Sequence, residues 1–189
     1  MAWGEAKAWL SGALRKKLYQ DMLDDAASAP VRNAKRKKIV RPADMPWEMA
    51  RQGLLKHLLN EGMNTRMETV DAYMEIIPAG SRSGKHRHLA EECVYVLEGR
   101  GYEIHDGVRY DWQAGDVAVV HNNCVHQHFN ADPKKPARAL VMKCKPMYMF
   151  MNMLFQTLVE PRPTTPAPGA EGFQAREGEQ NFNHSEGDR

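Results

Sequence analysis

The sequence predicts a mainly β protein, an antiparallel barrel or jelly roll with α-helices ahead of it. Apolar residues recur at every fourth position near the start of the chain, which indicates an amphipathic helix. Short runs of β-branched and aromatic residues then follow at near-regular spacing between turn signals, which indicates many short strands. Among these signals, Asp106-Gly107 predicts a two-residue hairpin turn. A chain of 189 residues can hold one domain with a substantial core plus extensions.

The N-terminal part is predicted to be helical. Residues 2–23 form the first predicted helix, and its apolar stripe consists of Leu10, Leu14, Leu18 and Met22. The segment 24–30 breaks this pattern, and a basic connector follows over residues 31–43. A second helix is predicted over residues 46–61, because Gly62 is a natural residue to follow a helix end. Its apolar side consists of Leu54, Leu55, Leu58 and Leu59.

Beyond Gly62 the composition is that of strands. Residues 68–77 mix β-branched and aromatic residues with polar ones and end at Pro78-Ala79-Gly80. Further strands are predicted at residues 93–97, 102–105, 108–112, 117–120, 125–129 and 138–143. The Met-rich segment 146–159 fits either a helix or an edge strand, because its periodicity does not separate the two.

These elements divide the chain into three predicted regions. Residues 1–62 form a helical extension with the basic connector, and residues 63–159 form the barrel with the apolar segment that follows it. Residues 160–189 are rich in Pro, Gly, Glu and Thr, with six acidic residues against three arginines. This last composition predicts a flexible acidic tail.

Composition also predicts the cellular compartment and the classes of partner of the protein. Cys93, Cys124 and Cys144 are odd in number and form no CxxC pair, so a reducing compartment is expected, with the cytoplasm as the predicted location. The first residues lack the apolar segment of a secretory signal, and no apolar run approaches the roughly 18 residues of a membrane helix. The net charge of +2, and a basic run over 32–41 without interleaved aromatics, give no expectation of nucleic-acid binding.

A group of potential metal ligands lies in the predicted barrel. Side chains alternate along a strand, so His86 and His88 point to the same side and can reach one ion. Glu92 follows four residues later, and His126 lies on another predicted strand. Three imidazoles and one carboxylate leave open positions on a six-coordinate ion and suit Fe(II), Mn(II), Ni(II) or Zn(II). The alternative is a set of ordinary surface histidines beside a basic loop, which a single His-x-His would favour.

This pattern resembles the two sequence motifs of the cupin superfamily. The first motif, Gly-x5-His-x-His-x3-Glu-x6-Gly, is matched without exception by Gly80, His86, His88, Glu92 and Gly99. The second motif, Gly-x5-Pro-x-Gly-x2-His-x3-Asn, is matched by Gly115, His126 and Asn130. It departs at His121, where Pro is usual, and at Asn123, where Gly is usual. Asn tolerates a left-handed backbone, so the turn can survive the second departure.

The resemblance covers residues 66–145 and implies both a fold and a site. The implied fold is the cupin double-stranded β-helix, a jelly-roll barrel. The implied site is one divalent metal ion bound by His86, His88, Glu92 and His126.

Local sequence similarity narrows the reaction. Residues 94–102, 106–112 and 114–117 resemble the gentisate 1,2-dioxygenase type of cupin, as do residues 46–55 ahead of the barrel. This resemblance implies a non-haem Fe(II) dioxygenase that cleaves a small aromatic, enol or diketone substrate with O2. Those ring-cleaving enzymes are usually longer, with two cupin units and three histidines without the motif glutamate. This chain has one unit and keeps Glu92.

Two other functions stay open. A non-redox lyase or isomerase would use the metal as a Lewis acid together with acid/base chemistry, and a small-ligand-binding cupin would not turn over its ligand. For catalysis, Glu92 is a candidate base or labile ligand, and His128 shares the strand parity of His126 and could face the cavity. A core histidine bonded to the backbone is an equally good interpretation of His128. His105 and His121 are expected at the surface.

The expected partners are a small molecule, O2 and a second copy of the chain. Arg82 and Lys85 could steer an anionic substrate toward the entrance, although a solvated loop explains them as well. Residues 2–23 and 147–155 carry more apolar surface than one small barrel needs. Because cupins commonly dimerise, the resemblance implies a homodimer.

Overall fold

Helix α1, Leu18–Ala34, lies in the first of two compact units, which divide the chain between residues 37 and 38. The computed structural model describes residues 18–45, 47–60, 63–65, 67 and 69–163. Most of the first predicted helix, residues 2–17, is therefore outside the described residues. The predicted break at residues 24–30 is wrong, because α1 continues through it with Pro30 inside the helix.

The sequence of α1 explains why the helix continues. Three alanines, the best helix formers, precede the proline: Ala26, Ala27 and Ala29. Beyond Pro30, Arg32 forms an ion pair of 2.9 Å with Asp25, which links the turns on both sides of the proline. These local interactions favour the helix, although Pro30 lacks the N–H of one backbone hydrogen bond.

The predicted second helix over residues 46–61 is wrong. The segment 42–59 contains a short 3-10 helix, Pro42–Asp44, and the antiparallel strands β1, Trp47–Met49, and β2, Leu54–Leu59. The turn between the strands is closed by a 2.9 Å hydrogen bond from the Ala50 N–H to the Gly53 carbonyl. Leu54 and Leu55 are buried where β2 joins the sheet, so strand pairing outweighs the helical periodicity of the leucines.

The predicted strands beyond residue 68 are confirmed. They are β3, Asp71–Ile77; β4, Lys85–His88; β5, Glu92–Glu98; β6, Arg100–His105; β7, Val108–Gln113; β8, Val117–Val120; β9, His126–Asn130; and β10, Ala137–Lys143. The ambiguous Met-rich segment contains both elements: helix α2, Lys145–Phe150, and strand β11, Gln156–Glu160. Of the predicted tail, residues 164–189 lie outside the described residues.

The strands form two antiparallel sheets. The six-stranded sheet has the order β1-β2-β3-β10-β5-β8, and the five-stranded sheet has the order β11-β4-β9-β6-β7. Trp112 of the five-stranded sheet packs with Ile77, Val96 and Ala137 of the six-stranded sheet, so the sheets face each other across this core. A second cluster on the six-stranded sheet contains Leu55, Tyr73, Val94, Ala139 and Val141.

Tight turns and the register between strands bring the predicted ligand residues together. Asp106 and Gly107 have φ values of 46° and 88°, as a two-residue hairpin turn between β6 and β7 requires, so this prediction is confirmed. Strands β4 and β9 pair at His86 and His126, which brings the two motifs together. Among the described residues, no helix is both long and apolar enough to span a membrane.

Candidate metal centre

Four potential metal ligands meet inside the barrel. His86 and His88 come from β4, His126 from the start of β9, and Glu92 from the start of β5 on the other sheet. One ligand atom from each of them lies within 4.8 Å of the others, and all four side chains are buried. The predicted cluster is therefore present, and the alternative of ordinary surface histidines does not hold.

Each of the three imidazoles is oriented by a backbone carbonyl close to it in sequence. Nδ1 of His86 donates to the Gly84 carbonyl at 3.0 Å, and Nδ1 of His88 donates to the Ala90 carbonyl at 2.7 Å. His126 repeats this contact with the Cys124 carbonyl at 3.0 Å. Because Nδ1 carries the proton in each contact, each Nε2 keeps the lone pair that a metal needs.

Three of the prospective ligand atoms lack a hydrogen-bond partner among the described residues. They are Nε2 of His86, Nε2 of His126 and Oε1 of Glu92, and all are buried. Buried polar atoms are normally bonded, so such a set calls for a partner. A divalent metal ion fits a donor set of three neutral imidazoles and one carboxylate.

Burial keeps the rings of His86 and His126 neutral. It lowers the pKa of His86 well below its usual range, and the neighbouring His126 and Lys143 lower it further. Burial also lowers the pKa of His126 to about 3, despite the opposing charge of Glu92. Neutral rings are the form that ligates a metal.

The carboxylate of Glu92 is paired with a buried lysine. Nζ of Lys143 lies 2.7 Å from Oε2 of Glu92 and 3.3 Å from Nε2 of His88, and 5.3 Å from the centre of the Tyr73 ring. Burial alone would raise the pKa of Glu92, but the charge of Lys143 and the contact with His88 outweigh it and hold this pKa well below its usual range. The carboxylate is therefore ionised and ready to bind a cation.

A second buried network adjoins the ligands. Nδ1 of His128 donates to Oε1 of Glu103 at 2.8 Å, and Nε2 of His105 donates to the other oxygen of the same carboxylate. Nε2 of His128 lies 3.6 Å from Oε1 of Glu92. Burial alone would lower the pKa of His128, but the charges of Glu103 and Glu75 raise it to about 10. For Glu103, the charge of His128 overcomes the effect of burial and lowers the pKa to about 2.

Several placements confirm or correct the sequence analysis. His128 faces the interior as its strand parity predicts, and its partner is the side chain of Glu103 rather than the backbone. His121 is exposed, as expected. His105 is not a surface residue: its side chain is 11% exposed, because its Nε2 contacts the carboxylate of the buried Glu103.

Lys143 and Glu103 are the site residues that sequence reasoning missed. The signal for Lys143 was present in the alternation of β10, where Ala137, Ala139 and Val141 are buried and Lys143 continues the same parity. Glu103 is fully buried in the middle of β6, with one inward-facing residue on each side at a spacing of two. In both strands, period-2 counting would have placed a charge inside the barrel.

A second group of potential metal ligands lies near the start of β9. It consists of Asp106, His121 and Cys124, of which the first two are exposed. Burial and the charge of Asp106 raise the pKa of the Cys124 thiol to about 11, which disfavours the thiolate form that binds metals. The interior cluster is therefore the better candidate.

Comparison with known proteins agrees with this geometry. Residues 72–143 match the family model described as a cupin domain. A 5-aminosalicylate 1,2-dioxygenase from Comamonas sp. is 30% identical over 74 residues, which are 39% of this chain and 19% of that enzyme. The matched region thus spans about a fifth of the length of this relative.

Solved structures give the same fold. A salicylate 1,2-dioxygenase from Pseudaminobacter salicylatoxidans superposes with a TM-score of 0.53 at 15% identity, over 60% of this chain and 32% of that one. A variant of the enzyme in complex with gentisate gives a TM-score of 0.53 over 60% and 31% of the two chains. At this identity the likeness concerns the fold alone. The barrel has the cupin fold, and residues 72–143 of this chain match a cupin domain.

Proposed function

We propose that this protein is a metal-dependent cupin enzyme, a non-haem Fe(II) dioxygenase that cleaves a small aromatic, enol or diketone substrate with O2. The observation that carries the proposal is the donor set: Nε2 of His86, Nε2 of His126 and Oε1 of Glu92 are buried without a hydrogen-bond partner among the described residues, and Nε2 of His88 lies beside them. Mixed nitrogen and carboxylate ligation with open positions suits Fe(II) in oxygenases. Zn(II), Mn(II) and Ni(II) fit the same donor types.

The proposed ligands are Nε2 of His86, His88 and His126 together with Oε1 of Glu92. A bound Fe(II) would supply a binding site for substrate oxygens and the means to activate O2. Cleavage of this kind breaks one carbon–carbon bond and places both atoms of O2 in the product, so it needs no further reductant. The chain contributes orientation through the backbone carbonyls and exclusion of bulk water through burial.

The proposed substrate is an anion with two neighbouring oxygens. The relatives named above are dioxygenases of salicylate and 5-aminosalicylate, which supports an aromatic carboxylate with an adjacent hydroxyl group. Such a molecule can offer two oxygens to one metal ion. The positively charged side chains of Lys143 and His128 lie beside the ligands and would balance its charge.

Glu92 and His128 are the proposed catalytic residues. With a metal ion bound, the carboxylate of Glu92 would be placed to accept the proton of a substrate hydroxyl group. Nε2 of His128, 3.6 Å from Oε1 of Glu92, can hold a proton for return to the product. Glu103 fixes the ring of His128 through Nδ1.

The proposal also covers assembly and location. Exposed apolar side chains on the neighbouring strands β5 and β8 support a homodimer: Tyr95, Leu97, Val117 and Val119. Cys93, Cys124 and Cys144 are free thiols, which supports a reducing compartment such as the cytoplasm.

Oxygen uptake tests the function. The protein is reconstituted anaerobically with Fe(II) and then mixed with O2 and salicylate, gentisate, catechol or a β-diketone, with Zn(II)-loaded protein as the control. The proposal expects one O2 consumed per substrate cleaved, with Fe(II) only. No uptake with any substrate at full metal loading would contradict it. Product formation without O2, and with Zn(II) as well, would establish a lyase or isomerase instead.

A further inference from the structure

Lys143 lies at the centre of a row of charges that crosses three strands of the six-stranded sheet. In the register of this sheet, Lys143 of β10 stands opposite Glu92 of β5 on one side and Asp71 of β3 on the other. All three residues are buried, and cross-strand partners point to the same face. Lys143 is therefore flanked by an acidic residue on each neighbouring strand.

The contacts of Lys143 are made to the metal ligands. Its Nζ lies 2.7 Å from Oε2 of Glu92 and 3.3 Å from Nε2 of His88. Because Nδ1 of His88 donates to the Ala90 carbonyl, Nε2 of this ring accepts from Lys143. His88 Nε2 and Glu92 Oε2 are only 3.2 Å apart, and a cation between two such acceptors stabilises them.

A metal ion on His88 uses the same lone pair as Lys143. One nitrogen lone pair cannot serve both, so metal binding at His88 must break the contact with the ammonium group. The positive charge of Lys143 also opposes a dication that binds to the same carboxylate.

The other carboxylate in the row offers the displaced ammonium a place. Oδ1 of Asp71 is buried and has no hydrogen-bond partner among the described residues. Its other oxygen, Oδ2, forms a long ion pair of 3.6 Å with Nζ of Lys145, which leaves Oδ1 available to a second ammonium group. The flexible four-carbon stem of a lysine lets the ammonium swing between neighbouring strands.

We propose that Lys143 competes with the metal ion for His88 and Glu92, and that metal binding moves its ammonium group toward Asp71. Lys143 is thus a positioning residue that lowers metal affinity and couples the metal site to Asp71. The inference rests on the proposed function only in assigning a metal to these four ligands, and it does not depend on the reaction catalysed.

Metal affinity tests the competition directly. Dissociation constants for Zn(II) and Co(II) are measured against a chromophoric chelator at one fixed pH, for wild type and Lys143→Met. We expect Lys143→Met to bind metal about tenfold more tightly, because the opposing charge and the competing donor are gone. Lys56→Met is the matched control: Lys56 lies in the same sheet, stacks 4.9 Å from the Trp47 ring, and its loss should leave affinity unchanged.

A double-mutant cycle tests the role of Asp71. Asp71→Asn removes the carboxylate that receives the ammonium, so we expect it to weaken metal binding severalfold in wild type. In the Lys143→Met background the same substitution should have no effect. If Lys143→Met does not fold, Lys143→Gln, which keeps a donor and loses the charge, replaces it in both comparisons.

The outcomes separate this inference from the proposed function. Equal or weaker metal binding by Lys143→Met, or an effect of Asp71→Asn that persists without Lys143, overturns the competition. No metal binding by any of the proteins overturns both proposals. The expected affinities together with absence of oxygen uptake would support the competition and contradict only the dioxygenase reaction.

Discussion

The two sheets contribute different chemistry to one buried cluster. The five-stranded sheet supplies three imidazoles that could bind a metal ion, His86, His88 and His126, and the six-stranded sheet supplies two charged side chains, Glu92 and Lys143. Each nitrogen ligand is oriented by a carbonyl two residues away in sequence. The charged pair, by contrast, depends on the register between β5 and β10, strands distant in sequence.

This difference separates two kinds of preorganisation. Local backbone geometry fixes which ring nitrogen would face a bound metal ion. The register between the strands decides how much charge a bound metal ion would meet, because it places the carboxylate and the ammonium group beside the rings. Substitutions on the two sheets should therefore change different quantities. On the five-stranded sheet they should change whether metal binds at all, and on the six-stranded sheet they should change protein stability and metal affinity.

The largest effect is expected from loss of a nitrogen ligand. His86→Ala removes one of three nitrogen donors, and loss of even an outer-shell partner typically costs about 10–100-fold in metal affinity. We therefore expect metal content after dialysis to fall to background, as measured by elemental analysis. His121→Ala, an exposed histidine outside the cluster, should keep full metal content. Stoichiometric metal in His86→Ala would remove the basis of the site.

The charged pair should affect stability more than a single surface ion pair does. Glu92→Gln leaves the buried ammonium of Lys143 without its 2.7 Å partner, and breaking a buried pair costs about 3–5 kcal/mol. We expect the low end of this range, since Asp71 stands on the other side of Lys143. Urea unfolding in the presence of a chelator measures it.

The double variant Glu92→Gln with Lys143→Met is the control for this effect. It removes both charges of the pair and should be more stable than Glu92→Gln alone. A double variant that is less stable than the single one would show that the pair is not the source of the loss.

The sequence predicted the nitrogen side of the site and missed much of the charged side. Side chains two residues apart on one strand point to the same side, and glycines mark the turns of the motif. The motif was therefore sufficient to predict that His86 and His88 lie together. The pairing of Lys143 with Glu92 follows from a register that no local pattern contains. The alternation of β10 pointed Lys143 inward, but it could not name the partner.

Pairing between strands also explains why the predicted helix over residues 46–61 is wrong. The leucine pairs at 54–55 and 58–59 fit the period of a helix, and they also fit a strand that is buried on one side. The choice depends on β3, which offers an unpaired edge to β2 and lies beyond the window of any local count. Pairing along β3 decided the structure.

The pair of His128 and Glu103 should make stability depend on pH at both ends. The pKa of Glu103 is lowered from 4.5 to about 2, so its contribution is complete above 4.5 and is lost as the pH falls toward 2. The pKa of His128 is raised from 6.5 to about 10, so its contribution is complete below 6.5 and is lost as the pH rises toward 10. We expect Glu103→Gln to reduce both slopes in urea midpoints measured across this range. Slopes equal to those of wild type would contradict the pairing.

The smallest effect is expected at Asn123, in the turn before β9. Its φ is 59°, a left-handed conformation, and its N–H donates to the His88 carbonyl at 2.8 Å. Asn123→Gly should change the free energy of unfolding by less than about 1 kcal/mol, whereas Asn123→Ala should cost about 1 kcal/mol. Metal affinity should be unchanged in Asn123→Gly. A loss of metal binding there would show that the asparagine side chain, and not its backbone, supports the site.

Anomalous X-ray diffraction from crystals loaded with Fe(II) or Zn(II) tests the central claim most directly. The account predicts one peak in the barrel, bound by Nε2 of His86, His88 and His126 and by Glu92, with each Nδ1 still on its backbone carbonyl. A peak elsewhere, ligation through Nδ1, or no peak after loading would contradict it.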